Sequence, residues 1–285
     1  MKNLIPLDGD PYEYFKSIRD SKMSPSREHL EGIDKTIKDR YDDYKALTDP
    51  NQLEKLSPNS FTNEQEDALR QCYAVKTKEL IALKSKIKEN QVGSLGAKCQ
   101  YCGISAPDSF DHYLPKSVFP EYSVCFYNLI PCCPKCNLDK LDDWIDTKSG
   151  NRLIINFYFD LLPLEQYLFV ELNYDATNHL FSAFFVLDNR FGVDQNLFEI
   201  ILKHYEKLSL IKRFEPEVRA IFEEVVMGYE THLKDGRAPE DYRTQIAQIA
   251  RMTKKTYGVN NHKALLYEAL AVNDSLFEFL DNVQP

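Results

Sequence analysis
Two cysteine pairs, Cys99/Cys102 and Cys133/Cys136, constrain this chain more than any other feature. Each pair has two residues between its thiols, the spacing at which one turn presents two sulfurs to the same side of an ion. Two such turns supply four soft ligands in a tetrahedron and close it, so the expected ion is a structural Zn²⁺ with no open position. Four buried thiols or two disulfides are the competing readings. Zinc binding is worth roughly 10–16 kcal/mol in small zinc peptides, enough to hold a polar loop that has little core of its own. The segment between the pairs is long enough for a small ββα unit and is expected to carry something. Of the other cysteines, Cys72 falls on an apolar helix face and Cys125 has no assigned part. Cys132 is an alternative to Cys133 as a ligand, with three residues rather than two before Cys136.

Nested within the cysteine frame is a polar set, Asp111, His112, Asn128 and Asn137, among residues that otherwise look like core. Asp111-His112 stands where a strand is expected to end before Pro115. Asn137 follows the last cysteine, where a helix should begin, and Lys140 lies one turn on. The stretches Asp-His-x-x-Pro-Lys-Ser (111–117), Asn-Leu-x-x-Cys (128–132) and Cys-x-x-Cys-Asn-x-x-Lys (133–140) are similar to those of the HNH nucleases, in the zinc-bearing branch of the ββα-metal superfamily. The resemblance covers about residues 97–145. It implies that His112 is the general base, that Asp111 and Asn137 hold a catalytic Mg²⁺ or Mn²⁺, and that Asn128 braces the loop that aims the histidine. DNA is then the partner, and Lys116 and Lys140 are candidate contacts to its phosphates.

The residue chemistry supports the same reading independently. Phosphodiester hydrolysis needs a base for water and a cation for the developing negative charge. Histidine titrates near neutrality, and the oxygens of Asp111 and Asn137 suit a hard ion that also binds the phosphate. Neighbouring positions 111 and 112 point opposite ways on an ideal strand, so a bend is expected there. The remaining histidines, His29, His179, His204, His232 and His262, read as surface or hydrogen-bonded core residues.

The flanks make up most of the chain. After Ser24-Pro25, Leu30, Ile33, Ile37, Tyr41, Tyr44 and Leu47 recur at three- and four-residue steps, one helical stripe. Asp49-Pro50 and Ser57-Pro58 mark turns. Thr62 and Gln65 form a capping box for a helix whose apolar side runs from Leu69 to Ile87. From Lys76 to Lys98 six lysines face two acids, either a solvated helix face or a phosphate track; Gly93 and Gly96 end the helix. Trp144 is expected to pack the helix after the cysteines onto its neighbours. Gln166–Asn173 and His179–Leu187 read as a β-hairpin attached to the nuclease-like core. Beyond Asp194 come helices: one with a stripe from Leu197 to Ile211, one opened by Pro216, one from Pro239 to near Gly258, and one or two more to Val283.

The expected fold is therefore α+β, mainly helical. Its parts are a helical region (1–95), a zinc-stapled ββα-metal core (96–150), a β-hairpin extension (151–190) and a helical bundle (191–285). The net charge of −9 and pI near 5.3 exclude a wholly basic nucleic-acid face, so any such surface is a local patch. No secretory leader is read in Met1-Lys2-Asn3-Leu4-Ile5-Pro6, and the apolar run 153–170 is interrupted by Asp160, Pro163 and Glu165, so a cytoplasmic protein with no membrane span is expected. No P-loop or Gly-rich dinucleotide turn is present. A metal-dependent endonuclease is the leading expectation; a zinc-stabilised scaffold that binds nucleic acid or protein without catalysis is the alternative. The architecture is similar to stand-alone HNH subunits of bacterial anti-phage systems, such as the Septu type, which works with an ATPase. An ATPase subunit is accordingly the expected protein partner, and an oligomer is compatible with the sequence.

Overall fold
Helix-capping chemistry sets out the first half of the chain. In the computed structural model, which describes residues 1–48, 52–175 and 180–282, Asp10 accepts from the Tyr12 amide at 2.9 Å and opens α1 (Pro11–Asp20). α2 (Ser26–Glu31) and α3 (Asp34–Thr48) follow. They bury Leu30, Ile37, Tyr41 and Tyr44, the stripe expected from their spacing. The Asp49-Pro50 turn, the hairpin turn at 176–179 with His179, and Val283 lie outside the described residues.

The Thr62/Gln65 capping box is formed and starts α4 (Asn63–Ala74). The single helix expected from there to Gly93 is instead two. Val75 turns extended, and the Thr77 hydroxyl accepts from the Leu80 amide at 3.2 Å, opening α5 (Lys78–Glu89). A short α6 (Ser94–Ala97) precedes the first cysteine pair. β1 (Ser109–His112) then pairs antiparallel with β2 (Leu129–Cys132), Asp111 opposite Ile130 and His112 opposite Leu129. Helix α7 (Pro134–Lys140) follows at once. Trp144 is buried with its ring about 6.0 Å from those of Tyr113 and Phe119.

Contacts gather the chain into two compact units rather than four segments. The first, Lys2–Leu162, holds α1–α7 with β1 and β2. Residues 151–162 belong to it: Tyr158 donates to the Leu129 carbonyl at 3.0 Å, and the Phe157 carbonyl accepts from the Leu4 amide at 2.8 Å. The second consists of Met1 with Pro163–Pro285. Its hairpin, β3 (Leu168–Asp175) with β4 (Leu180–Leu187), differs from the expected extension of the cysteine segment. Val170, Leu172, Phe181 and Ala183 pack on the apolar cluster that includes Ile221, Val225, Leu266 and Leu270, all within this unit.

The second unit continues through α8 (Gln195–Lys207), capped by Asp194, and α9 (Leu210–Lys234). Pro216 was expected to open a helix but lies inside α9. The break falls at Ser209, in the left-handed region at φ 50°. Buried Phe214, Ile221 and Val225 on either side offset the hydrogen bond that Pro216 cannot make. α10 (Pro239–Tyr257) begins at its proline and stops at Gly258, φ 99°. α11 (His262–Ala271), capped by Asn261, and α12 (Asp274–Asn282) complete the chain. Among the described residues no helix is long and apolar enough to cross a membrane.

Candidate functional site
The ligand atoms of Cys99, Cys102, Cys133 and Cys136 all lie within 4.8 Å of one another, and all four residues are buried. Each pair sits in a turn that points its sulfurs inward. Gly103, at φ 70°, lets the chain reverse after Cys102, with its amide on the Cys99 carbonyl at 2.7 Å. The Ile104 amide donates to Cys102 Sγ, and the Cys136 amide to Cys133 Sγ, both at 3.4 Å. Cys102 Sγ and Cys133 Sγ are 3.8 Å apart. A tetrahedron with metal–sulfur bonds of about 2.3 Å has edges of about that length, so the four residues can hold a metal ion such as zinc. Cys132 stands outside the cluster, its sulfur 3.4 Å from Ser109 Oγ, which decides between it and Cys133.

The same frame positions β1 and α7. A cavity of about 490 Å³ opens between them, lined by Asp111, His112 and Asn137 together with Ser109, Lys116 and Asp142. His112 is almost wholly buried, its ring edge-to-face with Tyr73 at 4.3 Å. His112 Nε2 is 2.9 Å from the Ser123 carbonyl oxygen. A carbonyl only accepts, so Nε2 carries the proton and Nδ1 keeps its lone pair. Burial, and then the nearby Lys116, push the imidazole down to about 3 despite the Ser123 contact, so the ring is neutral at pH 7.

Asp111 is 2% exposed. Its Oδ2 accepts from the Tyr101 hydroxyl at 2.7 Å, and its Oδ1 is 3.1 Å from Lys140 Nζ. Burial raises its carboxyl above the usual range, and Lys140 and the Tyr101 hydroxyl work against that rise. Asn137 donates through Nδ2 to the Phe110 carbonyl at 3.4 Å, which aims its Oδ1 away from that bond. Asn128 is fully buried. Its Oδ1 accepts from the Leu114 amide at 2.7 Å, and its Nδ2 donates to the carbonyls of Leu114 and Tyr122 at 2.9 and 3.2 Å. Those bonds clamp the loop that leaves His112.

Lys116 is exposed at the cavity. Lys140 is not, and its expected phosphate contact is corrected. It is 0% exposed, and its ammonium donates to the His112 carbonyl at 2.8 Å beside Asp111. An ammonium enclosed in this way has no face to offer a phosphate; it braces β1 from α7. Tyr101, Tyr73 and Ser123 are partners that sequence reading missed. Each meets the site across a long loop or from another element, and no local pattern marks it.

No known family model matches the chain, and no solved structure does. The protein ea31 of Escherichia phage lambda is 41% identical over 51 residues, 18% of this chain. The match spans 17% of the phage protein's length.

Proposed function
We propose that this chain is a metal-dependent endonuclease of the HNH type that hydrolyses phosphodiester bonds in DNA. The observation that carries the reading is the single cavity lined by Asp111, His112 and Asn137, with the His112 ring held by the Ser123 carbonyl so that Nδ1 is the basic atom. His112 Nδ1 takes the proton of the attacking water. Asp111 and Asn137 supply oxygens for Mg²⁺ or Mn²⁺, an ion that would offset the charge developing on the scissile phosphate. The donor set fits a hard cation, since both residues offer oxygen and each carboxylate oxygen has a second lone pair beyond its Tyr101 or Lys140 bond. Lys140 offsets the negative charge of Asp111, so a cation there would draw on the substrate phosphate as well as on Asp111 and Asn137 for its negative charge and oxygens. Zinc in the cysteine cluster staples the loop and takes no part in the reaction.

The test is cleavage of supercoiled plasmid with Mg²⁺ or Mn²⁺. His112→Ala should slow cutting by roughly 10²–10⁴-fold while zinc content stays unchanged. One observation favours a second reading, a zinc-stabilised scaffold without catalysis: the ammonium of Lys140 already occupies Asp111. A parent chain that cuts with neither ion, in any buffer that preserves its zinc, decides for the scaffold. The defence role follows the architectural likeness stated above. In that setting the nuclease works under the control of a partner subunit, an ATPase, and the check is whether the two co-purify from one operon.

A further inference from the structure
Three lysines from two parts of the cysteine-bearing unit, Lys84 and Lys88 on α5 and Lys116 on the loop after β1, converge on two rings, Tyr73 and Phe110. Lys84 Nζ stands 3.7 Å from the centre of the Tyr73 ring, and Lys116 Nζ stands 5.2 Å from it. Lys84 and Lys88 also lie 5.8 and 5.6 Å from the Phe110 ring. The aromatic faces meet the ammonium groups themselves, and no carboxylate pairs with them among the described residues. Among the described residues, Lys76, Lys84, Lys88 and Lys116 make no ion pair, although the chain carries an excess of acids. Lys84 is half-buried, and that burial with the charges of Lys76, Lys116 and Lys88 pushes its ammonium down to about 8. A cluster of mutually repelling cations without acidic partners is relieved by a polyanion.

The cluster has a path to the chemistry. A second cavity of about 350 Å³ is lined by Tyr73, Lys84, Lys88, Phe110, Ser109 and Asn137, with Asp108 at its side. Ser109 and Asn137 line the cavity of His112 as well. The two openings therefore share a wall, and Asn137 stands at it.

We propose that Lys84, Lys88 and Lys116, set around Tyr73 and Phe110, are the track that grips the phosphate backbone of the DNA substrate and leads the scissile phosphate past Asn137 to His112. The inference rests on the nucleolytic reading and deepens it by giving the substrate its line of approach. Residues on α5 and on the loop after β1 then act together, so a ligand must be extended and anionic at regular intervals. A single phosphate would satisfy only one or two of the three.

The test uses the full chain and a fluorescently labelled DNA duplex, with zinc retained and no Mg²⁺ or Mn²⁺ added, so that binding is read without cutting. Lys84→Ala with Lys88→Ala should weaken binding roughly tenfold and reduce the salt slope by about two, one for each lost phosphate contact. Lys84→Arg with Lys88→Arg keeps the charges and should restore both values, which separates lost contacts from lost folding. In the plasmid assay the alanine pair should raise KM. If the parent binds and cuts DNA but the alanine pair leaves affinity, salt slope and KM as they were, the track is wrong and the nuclease reading survives. A parent that binds RNA and not DNA overturns the DNA track, and a parent that binds neither overturns both.

Discussion
The two compact units bury polar side chains in different ways. In the C-terminal unit Asn260 takes the amides of Tyr167 and Leu168 on its Oδ1, at 2.7 and 3.0 Å, and gives its Nδ2 to the Glu165 carbonyl. Asn261 caps α11, and His232 Nε2 meets the Ala238 carbonyl at 2.8 Å. These groups tie the chain to itself, and the adjoining core is aliphatic and aromatic. In the cysteine-bearing unit Asn128 does a similar job, but Asp111, His112 and Asn137 keep part of their bonding capacity facing a cavity. Burial of a polar group with spare capacity costs stability; the C-terminal unit carries that cost at His232, whose Nδ1 is buried without a partner, whereas at Asp111, His112 and Asn137 the spare capacity lines a cavity, as the proposed chemistry requires.

The largest expected effect tests the foundation of that contrast. Purified protein should carry about one zinc per chain. Cys136→Ser should lose the metal and unfold the cysteine-bearing unit, since zinc binding is worth roughly 10–16 kcal/mol against a typical total stability of about 5–15. Elemental analysis and circular dichroism read this directly; a parent that folds with no metal breaks the frame. Next, His112→Ala should slow plasmid cutting by roughly 10²–10⁴-fold with zinc content near that of the parent, and with a lower melting temperature because the buried ring is lost. Cutting at the parental rate would remove His112 from the role of base.

Smaller effects sharpen the contrast. Lys140→Met leaves the Asp111 carboxylate buried beside Tyr101 without its ammonium, and thermal or denaturant unfolding should show a loss of about 3–5 kcal/mol. Adding Asp111→Asn should recover part of that loss, and no recovery would mean that the pair is not ionic in the folded chain. Asn128→Ala and Asn260→Ala are matched probes, one in each unit. Each should lose about 1–3 kcal/mol of stability. Only the Asn128 change should also lower cleavage, because it frees the loop after His112. Equal losses of activity in both variants would erase the distinction between the units.

Much of the local structure was legible because its signals are local. The stripe from Leu30 to Tyr44, the Thr62/Gln65 box, and Pro239 with Gly258 mark their elements within a turn or two. The Thr77 cap was readable too but was masked by apolar positions that continue in helical step through Leu80 and Leu83. Pro216 misled because a proline names a possible first turn, whereas the actual break needed the left-handed Ser209. The hairpin strands were visible, but alternation says nothing of which helices will cover them.

By itself the sequence determined the polar groups at hand: four cysteines in two tight turns, an aspartate, a histidine and an asparagine between them, and a second asparagine just after the last cysteine. Spacing over a few residues is enough for that, since each turn is closed by its own backbone bonds. The tertiary structure alone decided how those groups are used. It chose Cys133 over Cys132, placed Nε2 of His112 on Ser123, and spent Lys140 on Asp111 rather than on a ligand. It also gathered lysines from distant stretches around Tyr73. Each of these depends on which atoms burial brings within about 3–4 Å of one another, and residues far apart in the chain acquire that proximity only when the whole unit packs.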